Sequence, residues 1–209
     1  MKPERKHIQS FQPQRDELNN ASDEELSSFY TGAGYDNFDA YLKDKGSFSA
    51  KADQTSGKGV THLIWDMSRE PRQLVAYFTL STAVIPFDDG NIDEEEASCL
   101  ENYPYITAAE IKMFAVAEQY QDLFYQAEDE DLPVSAWCLR YIIQYISYIS
   151  TDVMGIQAIF LHAVTEAEEF YLKNSFRFAD EQMRPLYSID GDYRAMWIPL
   201  HSIPEYKKE

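Results

Sequence analysis

The chain has 209 residues and a mass of 24.2 kDa, with 36 acidic against 18 basic side chains and a formal charge of -18. Such a length suits one domain; 44% hydrophobic and 14% aromatic residues exclude a disordered chain, and a mean hydropathy of -0.47 with no long apolar run excludes a spanning helix. The acidic balance disfavours nucleic acid, whose phosphates call for a basic footprint.

The first six residues, Met1-Lys2-Pro3-Glu4-Arg5-Lys6, are basic but no apolar stretch follows, so no signal peptide is expected. A single domain over 1–209 is expected, with 1–6 and 204–209 as flexible ends. His7 to Gln12 reads as an edge strand. Ser22 with Glu25 three residues on forms a capping box, which predicts a short helix to about Tyr30. Phe38, Tyr41 and Leu42 then sit at helical spacing in Tyr35 to Lys45, before Gly46. Ser47 to Lys58 is polar and reads as a mobile loop. Val60 to Met67 and Gln73 to Ile85, joined by a turn at Arg69-Glu70-Pro71-Arg72, predict an antiparallel hairpin whose second arm is central. Pro86 to Pro104 is acidic and aperiodic, an excursion between strands.

Ile106 to Val116 has one wholly apolar parity (Ala109, Ile111, Met113, Ala115), with Glu110 and Lys112 on the other, and predicts a strand. Trp137 to Ile149 is polar only at Arg140, Gln144 and Ser147, a single stripe, so a largely buried helix is expected. Ile156 to Val164 is apolar almost throughout, as a parallel strand covered on both faces would be. Strand, helix and strand make a right-handed β-α-β crossover. Thr165, with Glu168 three residues on, opens a short helix carrying Phe170 and Tyr171; Phe176 to Phe178 and Arg194 to Leu200 are strands, the latter entered through Asp190-Gly191-Asp192. Cys99 and Cys138 are too few for a disulfide framework and lack zinc spacing, so no metal site is expected and a reducing cytoplasm is the simplest home. The runs Asp93 to Glu96 and Glu128 to Asp131 either attract a cationic substrate or are solvated loops. Fifteen tyrosines are compatible with a homodimer.

Three segments together carry a family resemblance. Leu74-Val75-Ala76-Tyr77-Phe78-Thr79-Leu80-Ser81, Ala109-Glu110-Ile111-Lys112-Met113-Phe114-Ala115-Val116, and Ile159-Phe160-Leu161-His162-Ala163 followed by Ala167-Glu168-Glu169-Phe170-Tyr171 resemble, in order and spacing, three blocks of the GNAT superfamily of acyl-CoA-dependent N-acetyltransferases. The resemblance runs from about His7 to near the end. It implies an α/β (α+β) fold: a mixed, mostly antiparallel sheet of six or seven strands flanked by helices, with a parallel β-α-β unit at its centre. It also implies that the strands holding Glu110 and His162 part to admit the pantetheine arm of acetyl-CoA, which bonds the backbone of Phe114, Ala115 and Val116. The diphosphate would sit at the start of the next helix.

By position in that pattern, Glu110 is the expected base and Tyr171 the expected acid. Glu110 could equally be an exposed strand carboxylate paired with Lys112, Tyr171 a core tyrosine with a satisfied hydroxyl, and His162 is expected to be a hydrogen-bonded core histidine. The acceptor implied is a primary amine of a small molecule, peptide or protein; the alternative is a GNAT-shaped binding protein without turnover. Tyr77 to Leu80 and the Phe38 to Leu42 helix also resemble the toxins of the superfamily that acetylate aminoacyl-tRNA, a substrate the charge of -18 opposes.

The diphosphate loop departs from the family pattern Q/R-x-x-G-x-G/A. The frame from Gln121 places Phe124 and Gln126 where glycines would let backbone amides approach the phosphates. An acidic insertion, Ala127 to Pro133, follows. If it loops outward, Val134, Ser135 and Ala136 offer their N–H groups with Arg140 as counter-charge; if not, the cofactor site has decayed. Ser175 replaces a further family glycine after the Tyr171 helix.

Overall fold

The computed structural model describes residues 5–86, 105–127, 130–179 and 193–203. The acidic run Asp93 to Glu96, Cys99, the turn at Asp190 to Asp192, the excursion between Pro86 and Tyr105 and the two chain ends lie outside them, as do Glu128 and Asp129. The chain divides into two compact units, one of Met1–Leu80 with Lys112–Ile142, the other of Ser81–Ile111 with Ile143–Glu209. Ten strands and six α-helices are seen among the described residues, and seven of the strands run in the order β2-β3-β4-β5-β8-β10-β9. This is the mixed, mainly antiparallel sheet expected.

In the first unit β1 (Lys6–His7) is followed by β2 (Pro13–Glu17), which pairs antiparallel with β3 (Val60–Asp66). The edge strand thus begins one residue after the stretch expected from sequence. Its alternation is weak and it starts with a proline, which an edge tolerates because no ladder N–H is missed there. The capping box stands: Ser22 Oγ accepts from the Glu25 amide at 3.2 Å and Glu25 Oε2 accepts from the Ser22 amide at 2.9 Å, opening α1 (Asp23–Ser27). Helix α2 (Asp36–Lys43) buries Tyr41 and Leu42. The presumed mobile loop is a correction. Ala50–Thr55 is a helix, α3, capped by Ser49, whose hydroxyl accepts from the Ala52 amide at 3.2 Å. Its inner face is not apolar but carries Asp53, which is why no hydrophobic period marked it.

Strand β3 pairs with β4 (Gln73–Pro86) from Val60↔Leu80 to Asp66↔Gln73, and Leu74 to Thr79 are all buried, as expected of a central strand. The core here is aromatic: Tyr77 meets Phe29 edge-on at 5.3 Å and stacks with Tyr41 at 6.3 Å, and its hydroxyl donates to the Phe38 carbonyl at 2.7 Å. Such pairs contribute about 0.5–1.5 kcal/mol each beyond the area they bury.

His62 on β3 sets a pH limit on this unit. Its Nδ1 accepts from Arg15 Nη1 at 3.0 Å, and burial, then the Arg15 charge, pushes its pKa down to about 4. Because the folded value lies below the unfolded one, the stability involved is fully present above about pH 6.5 and is lost as pH falls toward 4, on the order of 3 kcal/mol in all. Urea midpoints measured between pH 7 and 4 should fall over this window, and His62→Gln should flatten the fall. An equal fall in the variant would assign it to other groups.

Strand β5 (Tyr105–Val116) runs on through α4 (Glu118–Gln121) to a hairpin of β6 (Leu123–Ala127) and β7 (Glu130–Pro133), with β1 parallel to β6. Helix α5 (Val134–Asp152) follows, three residues longer than expected at each end, with Arg140 and Gln144 outward. No described helix is long and apolar enough to cross a membrane.

In the second unit β8 (Ala158–Val164) pairs parallel with β5 on one side and antiparallel with β10 (Tyr193–Pro199) on the other, and β9 (Arg177–Phe178) closes the edge. Ile85, Ile106, Ala108, Ala158, Phe160, Ala195 and Trp197 pack as one buried cluster. Thr165–Ala167 is a 3-10 turn, so the α-helix, α6 (Glu168–Lys173), begins later than the Thr165 cap implied, at Ala167, whose side chain cannot cap. Ser175, after α6, has φ +70°, the left-handed conformation a glycine takes without strain. A side chain there costs about 1–2 kcal/mol, partly offset by glycine's looser unfolded chain at roughly 0.5–1 kcal/mol. Ser175→Gly should therefore stabilise by about 0.5–1 kcal/mol, read as a raised Tm; a lowered Tm would mean the serine hydroxyl matters more than the backbone.

Candidate functional site

The parallel ladder between β5 and β8 is short. It runs from Ala108↔Ala158 to Ile111↔Leu161 and stops there, although β5 continues to Val116 and β8 to Val164. β8 stays paired with β10 over its whole length. Glu110 and Phe160 are register partners at the last turn of this ladder, and two residues along β8 the ring of His162 stands edge-on to Phe160 at 4.8 Å. Glu110 Oε1 lies 3.8 Å from His162 Nδ1, with side chains 21% and 14% exposed. His162 Nε2 is buried without a hydrogen-bond partner among the described residues. The expected hydrogen-bonded core histidine is not found: the side chain is 14% exposed, and neither ring nitrogen makes a hydrogen bond among the described residues.

Lys112, the other candidate partner of Glu110, points elsewhere. Its Nζ donates to Asp53 Oδ2 at 2.6 Å, both side chains are 5% exposed, and Tyr41 donates to the same oxygen at 2.8 Å. This buried Tyr41–Asp53–Lys112 network docks α3, and sequence reading missed Asp53 and Tyr41 as its members. The signal was a lone acid on a short helix, too weak to pair with a strand lysine 59 positions away.

Tyr171 on α6 is 8% exposed, its ring edge-on to Phe170 at 5.2 Å and Phe176 at 5.6 Å. Its hydroxyl makes no hydrogen bond among the described residues. Burial pushes its pKa well above the ordinary tyrosine value, so the proton is held at neutral pH.

The residues expected to hold the cofactor belong to the first unit. Phe114, Ala115 and Val116 form the end of β5, where Ala117 N donates to Val75 O at 2.8 Å. Gln121, at the family's first loop position, is exposed, and its side-chain amide donates to the carbonyls of Thr31 and Val116, each at 2.8 Å, clamping the strand end. The glycine-loop frame is a strand, β6, whose Leu123, Phe124 and Tyr125 are good strand formers. Its charges are internally matched: Asp131 accepts from Arg5 at 2.6 Å and faces His7 at 3.0 Å, and Arg5 lies 4.9 Å over the Phe124 ring. Glu130 pairs with Arg140, so the expected counter-charge of α5 already has an anion beside it. Val134, Ser135 and Ala136 are the first residues of α5, where amides lack intrahelical acceptors. Gln121 and Arg140 are engaged with the partners named above. Among the described residues no group of three or more metal-ligating side chains occurs.

No family model matches the sequence, and no curated protein does. Solved structures do match in fold. A tyrosine-to-phenylalanine variant of KacT superimposes with a TM-score of 0.65 at 15% identity, covering 93% of this chain and 98% of that one. AtaT complexed with acetyl-methionyl-tRNAfMet gives 0.65 at 16% identity over 92% and 97% of the two chains. A tyrosine-to-phenylalanine variant of the AtaT toxin, bound to the C-terminus of the antitoxin AtaR and acetyl-CoA, gives 0.58 at 15% over 94% and 99%.

Proposed function

We propose that this chain, whose fold is that of the GNAT N-acetyltransferases, is an enzyme that transfers an acetyl group from acetyl-CoA to a primary amine. The observation that carries the reading is the placement on one unit of Tyr171, a buried residue whose hydroxyl makes no hydrogen bond among the described residues, and of a carboxylate, Glu110, beside His162. The binding of acetyl-CoA by the AtaT neighbour supports the cosubstrate. The pantetheine amides would bond the backbone of Phe114 to Val116 and the diphosphate the amides of Val134, Ser135 and Ala136, all in the first unit.

In the reaction the amine nitrogen attacks the thioester carbonyl carbon; a C–N bond forms and the C–S bond breaks. Glu110 draws off the proton the amine loses, and Tyr171 protonates the departing thiolate sulfur. Charge supports a small amine or peptide as acceptor over RNA. The chain carries -18, and most described basic side chains are already paired with acids, as Arg72 is with Asp16 and Glu25, and Arg194 with Glu168. The AtaT complex, which contains an acetylated aminoacyl-tRNA, favours the competing acceptor.

A panel of acceptors decides between them. Purified protein with acetyl-CoA and, separately, small primary amines, peptides and aminoacyl-tRNA should release CoA thiol and give an acetylated product of matching mass with an amine or peptide. Transfer to aminoacyl-tRNA alone would replace the acceptor class and keep the enzyme. No thiol release with any acceptor would leave a binding protein of this fold.

A further inference from the structure

We infer that His162 is a positioning residue for Glu110, holding the carboxylate through the imidazole tautomer that carries its hydrogen on Nδ1. The inference rests on the transferase reading above and assigns to His162 a part in it.

The argument begins from the two ring nitrogens. A neutral imidazole has one N–H and one lone pair, and which nitrogen holds the hydrogen follows from its neighbours. Nδ1 faces a carboxylate oxygen at 3.8 Å; Nε2 is buried and has no hydrogen-bond partner among the described residues. A buried N–H without an acceptor is rarer than a buried lone pair without a donor, so the hydrogen belongs on Nδ1, toward Glu110.

The separation of 3.8 Å exceeds a direct hydrogen bond and suits either one bridging water or the closer approach a bound substrate induces. The ring itself has little freedom. Phe160 stands edge-on to it at 4.8 Å, and β8 is laddered to β10 at His162↔Ala195. Glu110, on a strand whose ladder with β8 ends one residue later, is the looser member. A fixed N–H at one carboxylate oxygen leaves the other oxygen oriented for the amine proton. His162 does not itself touch the acceptor, because its remaining nitrogen is buried.

Three substitutions test this. His162→Asn keeps a donor at the δ position, His162→Gln moves it to the ε position, and His162→Leu removes it. With the acceptor that works for the native chain, the leucine and glutamine variants should lose about 10- to 100-fold in kcat, the usual scale for residues that orient a catalytic group, with the KM for acetyl-CoA unchanged. The asparagine variant should stay within about threefold of native. Full activity of His162→Leu would overturn the inference, as would equal loss in all three.

Nitrogen NMR of the native protein and of Glu110→Gln supplies a reading that needs no turnover. Native His162 should show a protonated Nδ1 and an unprotonated Nε2, and the Glu110→Gln change should shift the Nδ1 resonance. A native ring protonated on Nε2 alone would overturn the pairing. A chain that acetylates no acceptor ends the transferase reading instead, and the NMR result then still decides whether Glu110 and His162 are coupled.

Discussion

Replacing Tyr171 with phenylalanine is expected to lower the turnover of acetyl transfer by roughly ten- to a thousandfold, the range of a general acid, with acetyl-CoA binding little changed. The substitution removes only the hydroxyl. The ring stays against Phe170 and Phe176, and no hydrogen bond among the described residues is broken, so folding stability should hold or rise slightly. That separation is what makes the variant informative: a structural tyrosine whose hydroxyl is satisfied loses stability on this change, whereas an acid loses kcat. Steady-state rates by thiol release, with thermal unfolding as the companion measurement, check it. Native kcat in the variant would remove Tyr171 from the chemistry. Glu110→Gln should fall in the same range by the same assay.

The largest stability effect is expected at the buried ion pair of the first unit. Lys112→Ala removes the cation beside Asp53, whose side chain is 5% exposed and keeps the Tyr41 hydroxyl as a donor. Removing one member of a buried pair costs about 3–5 kcal/mol, a large share of the about 5–15 kcal/mol by which a domain is stable. The urea midpoint should drop accordingly, and α3, which Asp53 anchors, should lose amide-exchange protection first. The double change Lys112→Met with Asp53→Leu should recover much of the loss, since no lone charge then remains inside. A loss below about 1 kcal/mol for the single variant would mean that Asp53 is neutralised in another way.

How much of this was readable in advance depended on whether apolar side chains mark the element. β4, β5, α5 and β8 carry uninterrupted or periodic apolar faces, and each was found close to its true bounds; the parallel pairing of β5 with β8 followed from two buried strands flanking a buried helix. α3 was lost because its inward residue is Asp53, whose burial makes sense only beside Lys112 and Tyr41, partners distant in sequence. The β6–β7 hairpin was lost for another reason. The Gln121 frame was aligned to a glycine loop by family spacing, while Leu123-Phe124-Tyr125 has plain strand composition and Glu130 and Asp131 find cations in Arg140 and Arg5. At the candidate site, Glu110 and Tyr171 came from position within a pattern. The unsatisfied nitrogen of His162 is visible only in three dimensions, because satisfaction is a property of neighbours.

In the proposed reading acetyl-CoA would be held by backbone amides rather than by side-chain charge, Phe114 to Val116 for the arm and Val134 to Ala136 for the phosphates, since Gln121 and Arg140 are engaged with other partners. Calorimetric titration of the purified chain with acetyl-CoA at moderate salt measures this directly. A saturable heat with a midpoint below about 1 mM, within the usual range for an enzyme's substrate, is the predicted result; no heat at millimolar ligand would leave the fold of a transferase without its cosubstrate.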